Sequence, residues 1–231
     1  MQDLAVLESS LVADLGDDAR WFNPAGYDSV ALCIIDSIYS TGNHYSGVMN
    51  AIAKYQQRRA GEGGEPHADT ASDLIAASER WGGVQGLSEA TNKWRCWANH
   101  DAPLKAEAAL CAAKILAAHN VEDIDDVRSH LDAPTQQDSS PIKRGWIQIP
   151  GHRSGLTWTY FLMLAGVPGV KADRMIVRYV ERVLGQPVDS RTAAALVSEI
   201  ADRRGLRRTK LDHAIWRYES GRNVYTDHEL P

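Results

Sequence analysis

Strand-like alternation of apolar and polar residues is scarce in this chain, which leaves little material for a sheet. Cysteine is scarce as well. The three present, Cys33, Cys96 and Cys111, are odd in number and widely spaced, which excludes a disulfide framework and any zinc-ligand spacing. Cys33 and Cys111 fall in apolar helical patterns and read as small buried thiols. No apolar run approaches the ~20 residues needed to span a bilayer, so no membrane partner is expected. Met1-Gln2-Asp3-Leu4 lacks the basic and apolar regions of a signal peptide, so the cytoplasm is the expected compartment. No metal or other cofactor is expected.

The 231 residues suit one large domain or two small ones, with 44% hydrophobic and 24% charged residues as in ordinary globular chains. The net charge of −5 speaks against nucleic acid, but its distribution does not. Residues 1–142 hold 10 basic and 21 acidic side chains, whereas residues 143–231 hold 15 basic and 9 acidic. Such asymmetry fits a protein with one DNA-facing side, or equally a set of solvated helix faces.

Helical periods dominate, and the fold class is all-α. Leu4 to Leu15 reads as an amphipathic helix, and Ser29 to Tyr39, apolar on most sides, as a buried one. Tyr45 to Arg59 and Thr70 to Trp81 follow, separated by a Gly-rich turn at 60–66. A further helix is expected through Lys93 to Trp97. Pro103 opens an alanine-rich helix from Leu104 to His119. The polar stretch 132–140 reads as a mobile loop. Ser154 to Leu184 holds a pair of helices, and Asp189 to Arg203 and Thr209 to Tyr218 complete the set. The tail from Gly221 is polar and reads as frayed.

Between the paired helices lies Leu164-Ala165-Gly166-Val167-Pro168-Gly169-Val170-Lys171-Ala172-Asp173. A tight Gly-x-Pro-Gly turn that ends in a helix start offers backbone N–H groups and a positive dipole end, to which phosphate is the natural ligand. Two more segments precede it in order: Ala31 to Thr41, a buried helix closing in a polar turn, and Leu104-Lys105-Ala106-Glu107 with Ala112 to Leu116. Together these resemble the helix-hairpin-helix DNA glycosylase superfamily (HhH-GPD), in a form without its iron–sulfur cysteines, over about Trp21 to Trp216. Two departures stand out. The turn reads Gly166-Val167-Pro168-Gly169 where many members have Gly-x-Gly, and the segment 120–155 is long.

The resemblance implies a two-lobed helical bundle, with a central lobe near 30–150 and a hairpin lobe from 1–29 plus 151–231. It implies a monomeric enzyme on double-stranded DNA that flips out a damaged or modified base, a housekeeping lesion or a bulky modified cytosine of phage DNA, and hydrolyses its glycosidic bond. The carboxylate that stabilises the cationic sugar maps to Asp189, with Asp212 and Asp36 in reserve. Asp189 also reads as the N-cap of an Ala-rich helix. Lys171 is either an amine nucleophile of a strand-cleaving member or a phosphate contact; one register puts Val170 in the nucleophile's place, and a monofunctional enzyme is favoured. DNA contacts map to Gly166, Val167, Pro168, Gly169, Lys171, Arg207, Arg208 and Lys210. Asn43, His44 and Tyr45 are wedge candidates or ordinary turn residues. Trp94, Trp97, Trp146 and Trp158 are core residues or base-stacking faces, with Trp146 and Trp158 preferred for the pocket. A non-catalytic DNA-binding module that keeps the hairpin is the alternative, and a helical protein–protein adaptor is a third reading.

Overall fold

A computed structural model describes residues 2–131 and 139–226, and their regular structure is helical. Twelve α-helices and one 3-10 turn are present among the described residues. Extended pairing there is confined to two isolated bridges, Trp21 with Tyr225 and Arg95 with Leu104. The contacts divide the chain into a central unit, Gly26–Val167, and a terminal unit, Met1–Ala25 with Pro168–Pro231.

In the central unit α2 (Val30–Tyr39) is buried at every position, which explains why its sequence is apolar on most sides. The Ser29 side chain accepts the Leu32 N–H (3.2 Å) and starts it. Next come α3 (Tyr45–Gly61), α4 (Ala71–Arg80), α5 (Val84–Ala90), α6 (Lys105–Ala118), α7 (Ile124–Leu131), α8 (Pro141–Trp146) and α9 (Leu156–Leu164). Thr70 and Asp73 close a capping box at the start of α4. α6 and α9 both pack against α2, and α4 packs against α6. Small side chains make that approach possible: Ala106, Ala108, Ala109, Ala112 and Ala113 of α6 are all buried. Arg59, Asp69 and Tyr55 form a polar knot beside this core. The guanidinium holds Asp69 through two bonds of 2.6 and 2.7 Å, and the Tyr55 hydroxyl donates to the same carboxylate at 2.6 Å.

The terminal unit joins α1 (Gln2–Leu15), before the 3-10 turn at Asp18–Arg20, to α10 (Arg174–Leu184), α11 (Ser190–Arg203) and α12 (Arg208–Glu219). Leu4, Leu7, Leu11 and Leu15 form one buried stripe of α1 at helical spacing. α1 packs on α10, and α12 packs on both α10 and α11. Ile176, Tyr179 and Val180 form the buried face of α10. Its outer face sends Arg178 and Arg182 to Glu219 at 2.7 and 2.8 Å.

Three findings differ from the sequence expectation. Residues 93–97 are not helical: the chain doubles back, with the Lys105 N–H on the Trp94 carbonyl (2.8 Å) and the Cys96 N–H on that of Pro103 (2.9 Å). The helix before this stretch, α5, ends at Ala90. The helix at 156–164, expected in the hairpin lobe, belongs to the core of the central unit. Cys33 is buried as expected, but Cys111 is only half-buried. Of the loop expected at 132–140, residues 132–138 lie outside the described residues.

Candidate functional site

The glycine-proline turn is less open than its sequence suggests. Its flanking helices end at Leu164 and begin at Arg174, so residues 165–173 form the connection rather than a four-residue turn. Gly166, at φ 91°, takes a conformation that glycine adopts without strain, and its N–H closes onto the Met163 carbonyl. The Val167 N–H closes onto Leu162, Pro168 has no N–H, and the Gly169 N–H donates to Thr209 Oγ1 at 3.2 Å. The Lys171 N–H donates to Asp212 Oδ1 at 2.8 Å. The backbone donors expected for phosphate at Gly166, Val167, Gly169 and Lys171 are therefore spent within the protein. That expectation is corrected: at Gly169 and Lys171 the connection is clamped onto α12, and it does not hold out a row of open amides.

The same clamp brings two expected residues together. Asp212 is buried on α12, and burial pushes its carboxyl well above the usual carboxylate range. The charge of Asp173 pushes the same way, while the Lys171 ammonium and its backbone N–H pull back. Asp173 itself accepts the Met175 N–H at 2.8 Å and caps α10.

Asp189 sits in a different electrostatic setting. It is exposed and caps the 14-residue α11, accepting the Thr192 N–H at 2.8 Å and the Thr192 hydroxyl at 3.2 Å. These bonds hold its carboxyl below the usual range, the backbone N–H of Thr192 contributing most, so it stays ionised. The capping reading and an electrostatic role are compatible, because a cap presents its carboxylate at the helix end. The third carboxyl, Asp36, is buried on α2 and accepts the Tyr27 hydroxyl at 2.9 Å. Burial and then the charge of Asp36 push the Tyr27 phenol far up.

Of the basic segment, Arg208 holds Asp202 through bonds of 2.8 and 2.6 Å, and Lys210 donates to the Asp18 carbonyl at 2.7 Å. Arg207 is exposed at the N-cap of α12 and has no ion-pair partner among the described residues. Asn43 turns its amide back onto the Tyr39 and Thr41 carbonyls, both at 3.1 Å, which is turn chemistry and not a wedge. His44 and Tyr45 remain on the surface of that turn. Trp146 and Trp158 are 0% and 2% exposed and pack with Phe161 inside the central core. Neither offers a face to a base, so their assignment to a pocket is corrected. Trp94 packs against Tyr39 with ring centres 6.2 Å apart, and Trp97 is 46% exposed.

Sequence reasoning passed over two residues that the structure singles out. Lys105, on the first turn of α6 and 1% exposed, sends its ammonium to the carbonyls of Ile38 (3.2 Å) and Tyr39 (3.1 Å), the open end of α2. His152 is 2% exposed and shares the Thr157 hydroxyl, at 3.0 Å, with the Trp146 indole N–H. Burial, with the nearby Lys105 charge, pushes the His152 pKa down to about 4. No local motif marks His152, whereas Lys105 stood within the Leu104-Lys105-Ala106-Glu107 segment without a role of its own. Among the described residues no three His, Cys, Asp or Glu side chains converge as metal ligands.

A model of one protein family matches residues 5–220, nearly all of this architecture. The chain belongs to DUF8548, a domain of unknown function. No curated protein and no solved structure matches it. The DUF8548 match spans both units, including Asp189, Asp212 and the 165–173 connection.

Proposed function

We propose that this DUF8548 chain is a monofunctional DNA glycosylase, which hydrolyses the bond between a damaged or modified base and its deoxyribose. The observation that carries the reading is Asp189: an exposed carboxylate, fixed by two bonds to Thr192 and kept ionised, at the start of the helix that follows α10. Breaking the C1′–N bond builds positive charge on the sugar, and a pre-positioned anion lowers that barrier. Water then adds its oxygen to C1′, and the base departs with a proton. The order of elements around the 165–173 connection, the all-helical fold and the basic C-terminal segment support the same reading. Double-stranded DNA bearing an altered base is the proposed substrate, with bulky modified cytosines of phage DNA as one class.

The test is base release from duplexes and phage genomes carrying different altered bases, with alkali exposing abasic sites. Wild type should generate alkali-labile sites, and Asp189→Asn should lower the rate about 100-fold or more while DNA binding persists. Equal rates remove Asp189 from the chemistry. Salt-sensitive DNA binding with no base release from any substrate sinks the enzyme reading in favour of a DNA-binding module.

A further inference from the structure

The terminal unit contains a cleft of about 550 Å³ whose walls are Trp21 to Asn23 on one side and Gly205 to Arg207, with Lys210, on the other. This volume falls within the range of small-molecule sites, roughly 300–1,000 Å³. Two links to one residue hold the walls at their spacing: Arg204 pairs with the Asp18 carboxylate at 2.9 Å, and Lys210 donates to the Asp18 carbonyl at 2.7 Å. Among the described residues, the cleft has no acidic side chain in its lining. Asp18, which links the two walls, is paired with Arg204.

Its chemistry is two-sided. Arg207 brings a guanidinium with no ion-pair partner among the described residues, and Lys210 brings an ammonium with further donors beyond the one given to Asp18. Phe22, half-buried, offers an apolar ring that Arg217 (4.8 Å) and His213 (5.4 Å) hold in place. Asn23 at the rim adds an amide donor and acceptor. An anion alone would leave the Phe22 wall unused, and an apolar ligand would leave the cations unpaired. A planar ring joined to a phosphate uses both.

We propose that this cleft binds a nucleoside phosphate, with Arg207 and Lys210 on the phosphate and Phe22 beside the base. The ligand is either a free mononucleotide or one unstacked nucleotide of a DNA strand. Binding here requires no base release, so it can stand where the glycosylase reading fails, and the converse also holds.

The experiment is calorimetric titration of the full chain at low salt with deoxyadenosine monophosphate, deoxyadenosine, inorganic phosphate and an eight-nucleotide oligo(dT). The monophosphate should bind, with nucleoside and phosphate each weaker. Arg207→Glu should weaken it tenfold or more, and Arg207→Lys should keep most of it. Arg207 is exposed and pairs with no acid among the described residues, so its replacement should leave the fold intact, which matching thermal melts check. A tighter oligonucleotide marks a DNA strand as the source, and equal affinities mark a free nucleotide; both sustain the proposal. It is overturned if neither nucleotide ligand binds, if Arg207→Glu binds unchanged, or if inorganic phosphate binds as tightly as the monophosphate.

Discussion

Asp212 Oδ1 accepts the backbone N–H of Lys171 at 2.8 Å, across 41 residues of chain. Within the terminal unit this bond ties Lys171 to α12 and places a carboxyl where burial disfavours its charge. A carboxyl with a raised folded pKa contributes most stability below its unfolded value near 4 and loses it as pH rises toward the folded value. Asp212→Asn keeps an acceptor for the Lys171 N–H and removes the charge. Its stability should equal or exceed wild type at pH 8, with a flatter pH slope. Asp212→Ala strands the N–H and should cost about 1–3 kcal/mol. Urea melts at pH 5 and pH 8 read both.

At Asp189 the capping and chemical roles can be pulled apart. Serine caps a helix about as well as aspartate, so Asp189→Ser should stay within a few tenths of a kcal/mol of wild type, whereas Asp189→Ala should lose about 1 kcal/mol. Both should abolish base release. A serine variant that keeps full activity would reduce Asp189 to a cap.

His152 should make the central unit sensitive to acid. Its folded pKa of about 4 lies below the unfolded value near 6.5. The unfolded chain therefore takes the proton first, and stability present above pH 6.5 is lost as pH falls toward 4. The amount is about 3 kcal/mol, at 1.36 kcal/mol per pKa unit. His152→Gln should flatten that arm of the stability curve, and an unchanged slope would assign the acid sensitivity to other groups.

The Arg59–Asp69 knot should behave as a buried pair does when one partner is removed. Asp69→Ala leaves an uncompensated guanidinium and should cost about 3–5 kcal/mol. Tyr55→Phe should cost about 1 kcal/mol. A Cβ on Gly64 would come within 2.4 Å of the Arg59 guanidinium, whose two bonds to Asp69 keep it from swinging away. Gly64→Ala should therefore cost about 1–3 kcal/mol despite lying in a loop. Thermal melts of the three variants rank them.

The elements that sequence resolved were those with a local signal at the boundary. Ser29, Thr70 and Asp189 each cap the helix they precede, and the α1 leucines recur at helical spacing. The stretch 93–97 misled because its backbone partners are carbonyls several residues onward, which no helical period reports. The turn at 166–169 misled for a related reason. Glycine and proline reveal how a backbone can bend, but the acceptors that occupy its N–H groups, Thr209 and Asp212, lie some 40 residues away. Asp36 and Asp212 were legible as reserve carboxylates of the resemblance. Their partners, the Tyr27 hydroxyl and the Lys171 N–H, were not. Trp146 and Trp158 had no sequence mark separating a core indole from an exposed one.

Because the terminal unit is assembled from segments on both sides of the central one, its completion is a late event in synthesis. The leucine stripe of α1 is made first, yet the helices that cover it, α10 and α12, follow the whole central unit. At about 5–20 residues per second, α1 waits on the order of ten seconds or more for its partners. During that interval the nascent chain carries an uncovered apolar face, and by its end the central unit has its full complement of segments. A ribosome that stalls before α12 therefore releases a chain lacking Arg207, Lys210 and Asp212, with α1 left as a ready handle for chaperone or protease.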